Sequence, residues 1–454
     1  MSDNILRHSL RSIWPGNDNR SSLAAKNILV SFIAKGVAVL TSFLLVPLTL
    51  QFLNQEIYGV WLTISSILFW FTFFDVGLGN GMRNYLSEAW SKGEIEKAKK
   101  YVSTTFAFLF ILAVFFVLIV CVIVPIIDFQ QIYNTQAESQ DILMWATLIS
   151  LLMTIVFFAI RNIGTIYVAL QLPAVNDVLL VLGSVFTLLI IYIYSFFEKG
   201  NLVWVVSAFT IPPVLIFSIA AIPTFRRYHS ICPSLKSIDY SLGKSLINKG
   251  VGFFFIQITS CLVIYGSSNL FVAHYSGPVE VTHYGIAYKF FNLLSVAYTI
   301  FLTPYWSAYT DAYAKNDIEW IKKTFRKTLL VLGGMFIIGC CMFITAPLFY
   351  SIWVGDSVNI PWQISFVTFI YIVMFNLNNC ATFLINGLNK IKVQIITSVI
   401  FTIFYLIVVM SFGDSFGVTG IVLSMAIVYF MMAIIHLYQC GLLINLKARS
   451  IWNE

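Results

Sequence analysis

The sequence predicts an all-α polytopic membrane protein: twelve transmembrane helices in two six-helix halves related by an internal parallel repeat. Three observations carry that expectation. Hydrophobic residues make up 59% of the 454-residue chain and charged residues only 10%, too few charges to cover soluble domains of that total length. Apolar runs of roughly twenty residues, each long enough for a hydrocarbon core of about 30 Å, follow one another almost to the end. A thirteen-residue loop also occurs twice: Glu88–Lys100 aligns without gaps on Asp311–Lys323, 223 residues later, with six identities. Chance gives about one, so the match reads as a duplication. A loop kept on the same side of a membrane in both copies requires an even number of spans between them.

In chain order, the spans are predicted near 27–53, 57–83, 101–127, 142–170, 174–197 and 201–224, then 250–275, 281–309, 324–351, 361–388, 391–411 and 416–446. The polar stretch 225–249 separates six from six. The expected organisation is therefore an N-terminal tail over 1–26, a six-helix lobe over 27–224, a linker over 225–249, a second lobe over 250–446 and a tail over 447–454. The first 25 residues hold no apolar core before a cleavage-like site, so no cleaved signal peptide is expected. Residues 5–14 read either as a short interfacial helix or as a tail ending in the loop signal Pro15-Gly16-Asn17-Asp18.

Lys and Arg set the orientation. With the N-terminus inside, 23 of the 27 basic residues fall on the cytoplasmic side and only Lys199 on the other. Both termini and the linker are then cytoplasmic, and the net charge of +7 reflects this asymmetry and no nucleic-acid partner. Six of the seven cysteines sit in apolar runs without metal-ligand spacing, which marks packing thiols. No HExxH, G-x-S-x-G or Walker loop is present. The expectation is a protein that is not an enzyme and uses no metal or other cofactor.

Three basic residues remain at membrane depth: Lys35 in span 1, Arg161 in span 4 and Lys289 in span 8. Asp75 in span 2 and Asp177 near the start of span 5 are the corresponding acids. An ionised side chain at the bilayer centre costs about 2.5–3.5 kcal/mol on insertion scales, so such residues face a bundle interior or a wet cavity. Helical spacing puts each cation on a polar stripe. Ser31, Lys35 and Ser42 share a face of span 1, Thr154 and Arg161 one of span 4, and Lys289 and Asn292 one of span 8. Span 10 carries an uncharged amide stripe, Asn376, Asn379 and Asn386. The expected site is a hydrated interior between spans 1, 2, 4, 8 and 10. Small polar residues also line ordinary helix–helix contacts, and that reading stays open for each stripe alone. Cations exceed the buried acids three to two, so complete internal pairing is not available. Fixed positive charge suits a phosphate or pyrophosphate, and the hydroxyls and amides suit sugar. Asp75 reads either as a carrier of a coupling proton or sodium or as a partner of Lys35 or another cation. Asp177 reads as a second coupling candidate or as a solvated helix start. His274 and His283 are expected to be solvated beside an external loop, and His436 to be a satisfied core histidine.

The segment Phe74–Lys100, which opens FDVGLGNG, and the earlier Tyr58-Gly59-Val60-Trp61 carry a resemblance. They are similar to the bacterial polysaccharide-transport flippases of the O-antigen, or Wzx, type in the multidrug/oligosaccharidyl-lipid/polysaccharide exporter superfamily. The motif covers about residues 56–102, and the layout covers nearly the whole chain. The resemblance implies a V-shaped, two-lobed transporter of the bacterial inner membrane with a central cationic cavity. It would carry undecaprenyl-pyrophosphate-linked O-antigen or a related repeat unit from the cytoplasmic to the periplasmic leaflet while the lipid tail stays in the bilayer. A polysaccharide polymerase and other assembly proteins would be its partners.

Three rivals are weighed. A cation-coupled multidrug exporter of the same superfamily needs buried acids for its drug cations. A major-facilitator transporter usually carries a D-R core in its basic loop, which Gly79–Lys92 lacks. A polymerase or ligase has a large external loop, whereas the longest here, 128–141, is short.

Overall fold

The computed structural model describes residues 20–71, 78–196, 200–242, 267–356 and 358–453. These residues form helices joined by short turns, with no strand among them. The first half contains α1 (Arg20–Leu53), α2 (Gln55–Trp70), α3 (Leu78–Ser91), α4 (Ile95–Ile123), α5 (Phe129–Tyr133), α6 (Gln140–Ile160), α7 (Asn162–Ala169), α8 (Pro173–Tyr194) and α9 (Leu202–Arg227). The second contains α10 (Ser268–Ser276), α11 (Pro278–Ala314), α12 (Ile318–Val354), α13 (Trp362–Gly387) and α14 (Lys392–Ile444). Nine helical stretches of the described residues are long and apolar enough to cross a bilayer. They overlap ten predicted spans, because α14 holds the last two and breaks at Gly417 (φ 54°, ψ −150°). The span expected at 57–83 shows as α2 and α3 on either side of 72–77, which lie outside the described residues. Most of the span expected at 250–275 also lies outside them.

Three differences from the expected boundaries have identifiable reasons. The span expected at 142–170 is interrupted at Arg161, whose N–H still bonds Phe157 O at 2.8 Å while Gly164 N bonds Arg161 O at 2.9 Å. The chain makes a tighter turn there and α7 starts afresh. In addition, α4 and α12 begin before their apolar runs and extend through the charged loops. Asp317 caps α12 by accepting from Trp320 N at 3.0 Å, which satisfies one orphan donor of the first turn.

The two copies of the duplicated loop fold alike. Glu94 N donates to Ala89 O and Asp317 N to Ala312 O, both at 2.9 Å. Gly93 (φ 73°) and Asn316 (φ 58°) take the same left-handed position, which glycine and asparagine tolerate best. Lys92–Glu88 at 2.5 Å and Lys315–Asp311 at 2.7 Å are matching i,i+4 pairs. The turns before α2 and α11 also match, at Asn54 (φ 77°) and Gly277 (φ 87°), again 223 residues apart. The α7–α8 turn at Gln171 (φ 63°) is repeated at Asn389 (φ 55°) between α13 and α14.

Within the first half α1 packs on α8, and α9 packs on α6 and α8; within the second, α13 packs on α11 and α14. The main contact between the halves is α2 against α11. Thr282 Oγ1 donates to Gln55 O at 2.6 Å, and a Cβ on Gly59 would lie 1.8 Å from Pro278 O. Positions 55 and 278, and 59 and 282, are equivalent under the 223-residue offset, so the two contacts exchange places as in an isologous interface. Gly285 is the equivalent of Leu62, and a Cβ there would lie 2.4 Å from that leucine's Cδ1. Asn269 Nδ2 donates to Leu62 O at 3.2 Å, and Asn134 Nδ2 to His274 O at 3.3 Å. These bonds close the bundle at the end opposite the duplicated basic loops. Away from the contacts, Leu330, Ile337, Ile344, Leu348 and Ile352 form an exposed apolar face of α12, as lipid contact requires.

Gly59→Ala should separate α2 from α11, since the added methyl meets backbone. Overpacking of this kind costs about 1–3 kcal/mol. A thermal unfolding midpoint for the detergent-solubilised variant equal to wild type would show that the helices do not approach this closely.

Candidate functional site

A cavity of about 1000 Å³ opens near the basic-loop end. Its walls are Asn27, Ser31, Phe32 and Lys35 of α1, Ser87, Trp90 and Ser91 of α3, the α7–α8 turn with Gln171, and Thr299, Ile300 and Thr303 of α11. Asn27 Nδ2 donates to Gln171 O at 3.1 Å and ties α1 to that turn. Pro304 has no N–H, so the Ile300 carbonyl lacks its helical donor beside this space.

Phe32, Lys35, Thr299 and Ile300 also border a second chamber of about 820 Å³. It is mainly apolar, with Val39, Leu40, Phe69, Phe375 and Tyr429 in its walls and Asn292 and Ser295 as polar points. Lys35 thus stands where a hydroxyl- and amide-lined chamber meets an apolar one, and its side chain is exposed to that space. Among the described residues, none that lines either chamber is acidic.

Lys289 does not border these two chambers. Its Nζ donates to the Ser42 carbonyl at 3.1 Å beside a smaller pocket lined by Ser42, Ser184 and Thr187. One residue along, Trp353 Nε1 donates to the Phe43 carbonyl at 3.0 Å and its ring stacks on Phe43 at 4.7 Å. Phe43 precedes Pro47 by four residues, so its carbonyl has no intrahelical partner. Donors from α11 and α12 therefore hold consecutive carbonyls of α1 at its proline.

The remaining predicted residues are spread out. Arg161 and Thr154 are half-buried and border none of these spaces, and Asp177 is half-buried on α8. Asp75 lies outside the described residues. The amide stripe of span 10 is largely packing: Asn376 is buried and donates to Ser295 Oγ at 3.1 Å, while Asn379 and Asn386 are half-buried away from the chambers. Spans 4 and 10 thus contribute to the walls only the end of the α7 turn and Phe375. His436 is a core histidine, with Nδ1 2.7 Å from Asn378 Oδ1 and Nε2 2.9 Å from Thr397 Oγ1. His274 is exposed, but His283 is buried with Nδ1 3.3 Å from Glu280 Oε2, because α11 starts at Pro278 and already packs on α2 there. Stripe analysis missed Trp90, Ser87 and Gln171. Gln171 carried one signal, a polar residue two places before a helix-starting proline.

Comparison with known proteins agrees with the resemblance read from the sequence. No family model matches the chain. A protein from Salmonella typhimurium named "Putative O-antigen transporter" is 22% identical over 399 residues, covering 83% of this chain and 87% of its own length. A protein of the same name from Salmonella typhi is 23% identical over 382 residues, covering 82% and 84%. Among solved structures, the inward-facing conformation of a multidrug resistance MATE family transporter of the MOP superfamily superposes with a TM-score of 0.76 at 12% identity, over 92% of this chain and 98% of that one. The outward-facing conformation gives 0.62 at 14% identity, over 94% and 96%. A MOP superfamily transporter from Pyrococcus furiosus, described as having a binding pocket of reverse polarity, gives 0.61 at 13% identity, over 94% and 96%. The fold is that of the MATE-type transporters.

Trp353→Phe should keep the stack on Phe43 but leave a half-buried carbonyl without a donor, at about 1–3 kcal/mol. Its thermal midpoint should fall below wild type, while Trp353→Phe combined with Pro47→Ala, which restores the α1 N–H, should recover part of the loss. Equal midpoints for all three proteins would show that the indole bond to the Phe43 carbonyl adds no stability.

Proposed function

We propose that the chain is a membrane transporter that flips lipid-linked oligosaccharide, of the undecaprenyl-pyrophosphate-linked O-antigen type, from the cytoplasmic to the periplasmic leaflet of the bacterial inner membrane. The observation that carries this reading is the position of Lys35 between a polar chamber and an apolar one. The substrate has the same three parts: a glycan for hydroxyls and amides, a pyrophosphate for the cation, and a hydrocarbon chain for the apolar walls. The names of the curated relatives support it. So does the lack of acidic residues among the described residues of the lining, which weighs against the alternative, a cation-coupled multidrug exporter.

The proposed architecture is twelve spans in two lobes, 27–224 and 250–446, joined by the linker 225–249. The matched turns and the exchanged contacts of α2 and α11 support the repeat. Both termini are placed in the cytoplasm by the basic loops. The cavity then opens inward, in keeping with the higher TM-score against the inward-facing MATE structure, and rocking of the lobes about the α2–α11 contact would expose it outward. Lys35 binds pyrophosphate; Ser31 and Asn292 line its path. Arg161 and Lys289 add positive charge for the pyrophosphate from outside the two chambers, Asp75 and Asp177 are the candidates for ion coupling, and a polymerase takes the exported product.

Binding of undecaprenyl-pyrophosphate oligosaccharide to the purified protein tests this reading. A charge-assisted contact is worth about 1.5–3 kcal/mol, so Lys35→Ala should weaken binding by roughly ten- to a hundredfold. Arg161→Ala and Lys289→Ala should have smaller effects. A wild-type protein that ignores the lipid and instead binds organic cations through Asp75 would establish the exporter.

A further inference from the structure

The Lys289 pocket is separate from the two chambers and has its own chemistry. The residue is carried by α11, yet its ammonium ends in a space of about 230 Å³ walled by the first half: Ser42 of α1, Ser184 and Thr187 of α8, and the apolar Phe209 and Pro213 of α9. One N–H meets the Ser42 carbonyl at 3.1 Å, which leaves two of the three ammonium donors for the pocket. Among the described residues no carboxylate pairs with it. A carbonyl dipole does not neutralise a cation, and an unneutralised charge at this depth is costly.

The surrounding groups favour an anion. Thr187 Oγ1 donates to Gly183 O at 3.0 Å and Ser184 Oγ to Leu180 O at 3.4 Å. Each bond is an optional one to a carbonyl four residues back, so either hydroxyl can turn its hydrogen into the pocket. The Ser42 hydroxyl has no protein partner among the described residues. With a water occupying about 30 Å³, the space takes one small ion and a few waters and is too small for a pyrophosphate bearing sugars.

We propose that this pocket binds a small monovalent anion of chloride size between the Lys289 ammonium and the hydroxyls of Ser42, Ser184 and Thr187. Because the cation comes from α11 and the hydroxyls from α1 and α8, the ion is complete in its coordination only while the two halves are together at this level. Anion affinity and the arrangement of the halves are then linked, and each must shift the other. The site goes beyond the flippase reading and needs no lipid.

The test uses the full-length protein in detergent and chloride itself. Chloride-35 NMR line broadening and the thermal midpoint are followed while sodium chloride replaces sodium gluconate at constant ionic strength, with choline chloride as a second arm. The expected result is saturable broadening that bromide competes away, with a midpoint that rises with chloride whichever cation accompanies it. Lys289→Gln should lower chloride affinity roughly tenfold or more, a loss on the scale of one charged contact. The double variant Ser184→Ala with Thr187→Val keeps the lysine and should weaken binding by a smaller factor; it also stands in if Lys289→Gln elutes as aggregate. No chloride response in wild type overturns the proposal, as does an undiminished response in these variants, which places the ion on the basic loops. Inorganic phosphate that displaces chloride at lower concentration also overturns it, assigning the pocket to a phosphate group.

Discussion

Two helices that touch backbone to backbone set the arrangement of this molecule. A Cβ on Gly59 would lie 1.8 Å from the Pro278 carbonyl oxygen, and one on Gly285 2.4 Å from Leu62, so α2 and α11 meet where there is no side chain to separate them. In lipid the hydrophobic effect gives helices little reason to associate, and close approach at small residues supplies dispersion and hydrogen bonds instead. Thr282 to Gln55 and Asn269 to Leu62 add those bonds. The contact lies at the end opposite the basic loops, and the larger cavity lies toward those loops, walled by α1, α3, the α7–α8 turn and α11.

The same economy of polar groups governs α1. Its proline removes a donor inside a helix that crosses the membrane, where an unsatisfied carbonyl has no water to turn to. Trp353 and Lys289 from the other half meet two consecutive carbonyls at that point. The carbonyls at the proline are therefore met from outside their own helix, and the part of α1 before them carries Lys35 to the junction of the chambers. Two cations that look alike in the sequence end in different surroundings: Lys35 faces open space with no acid among the described residues of its walls, and Lys289 faces a carbonyl and hydroxyls.

The polar stripes show how far periodicity reaches. On α1 and α11 it placed Ser31, Lys35 and Asn292 at the chambers, because those helices border the gap between the halves. On α6 and α13 the same pattern marks packing: Asn376 bonds Ser295, and Thr154 and Asn386 border none of the spaces. A stripe states that a face is polar and leaves open whether it meets water or another helix. Arg161 illustrates the limit, since it shares a stripe with Thr154 and yet lines none of the chambers.

Composition and spacing alone determined that this is a helical membrane protein, roughly where its spans lie, and that a charged loop recurs in it. These features depend on local chemistry: apolar length, charge placement, and a left-handed turn that Gly93 and Asn316 both accept. Only the tertiary structure decided which cation stands in the cavity, that His283 is buried beside Glu280, and that the α7–α8 turn with Gln171 forms a wall. Those outcomes depend on which helices are neighbours and at what depth they meet, and contacts between residues such as Lys289 and Ser42, 247 positions apart, leave no periodic trace in the chain.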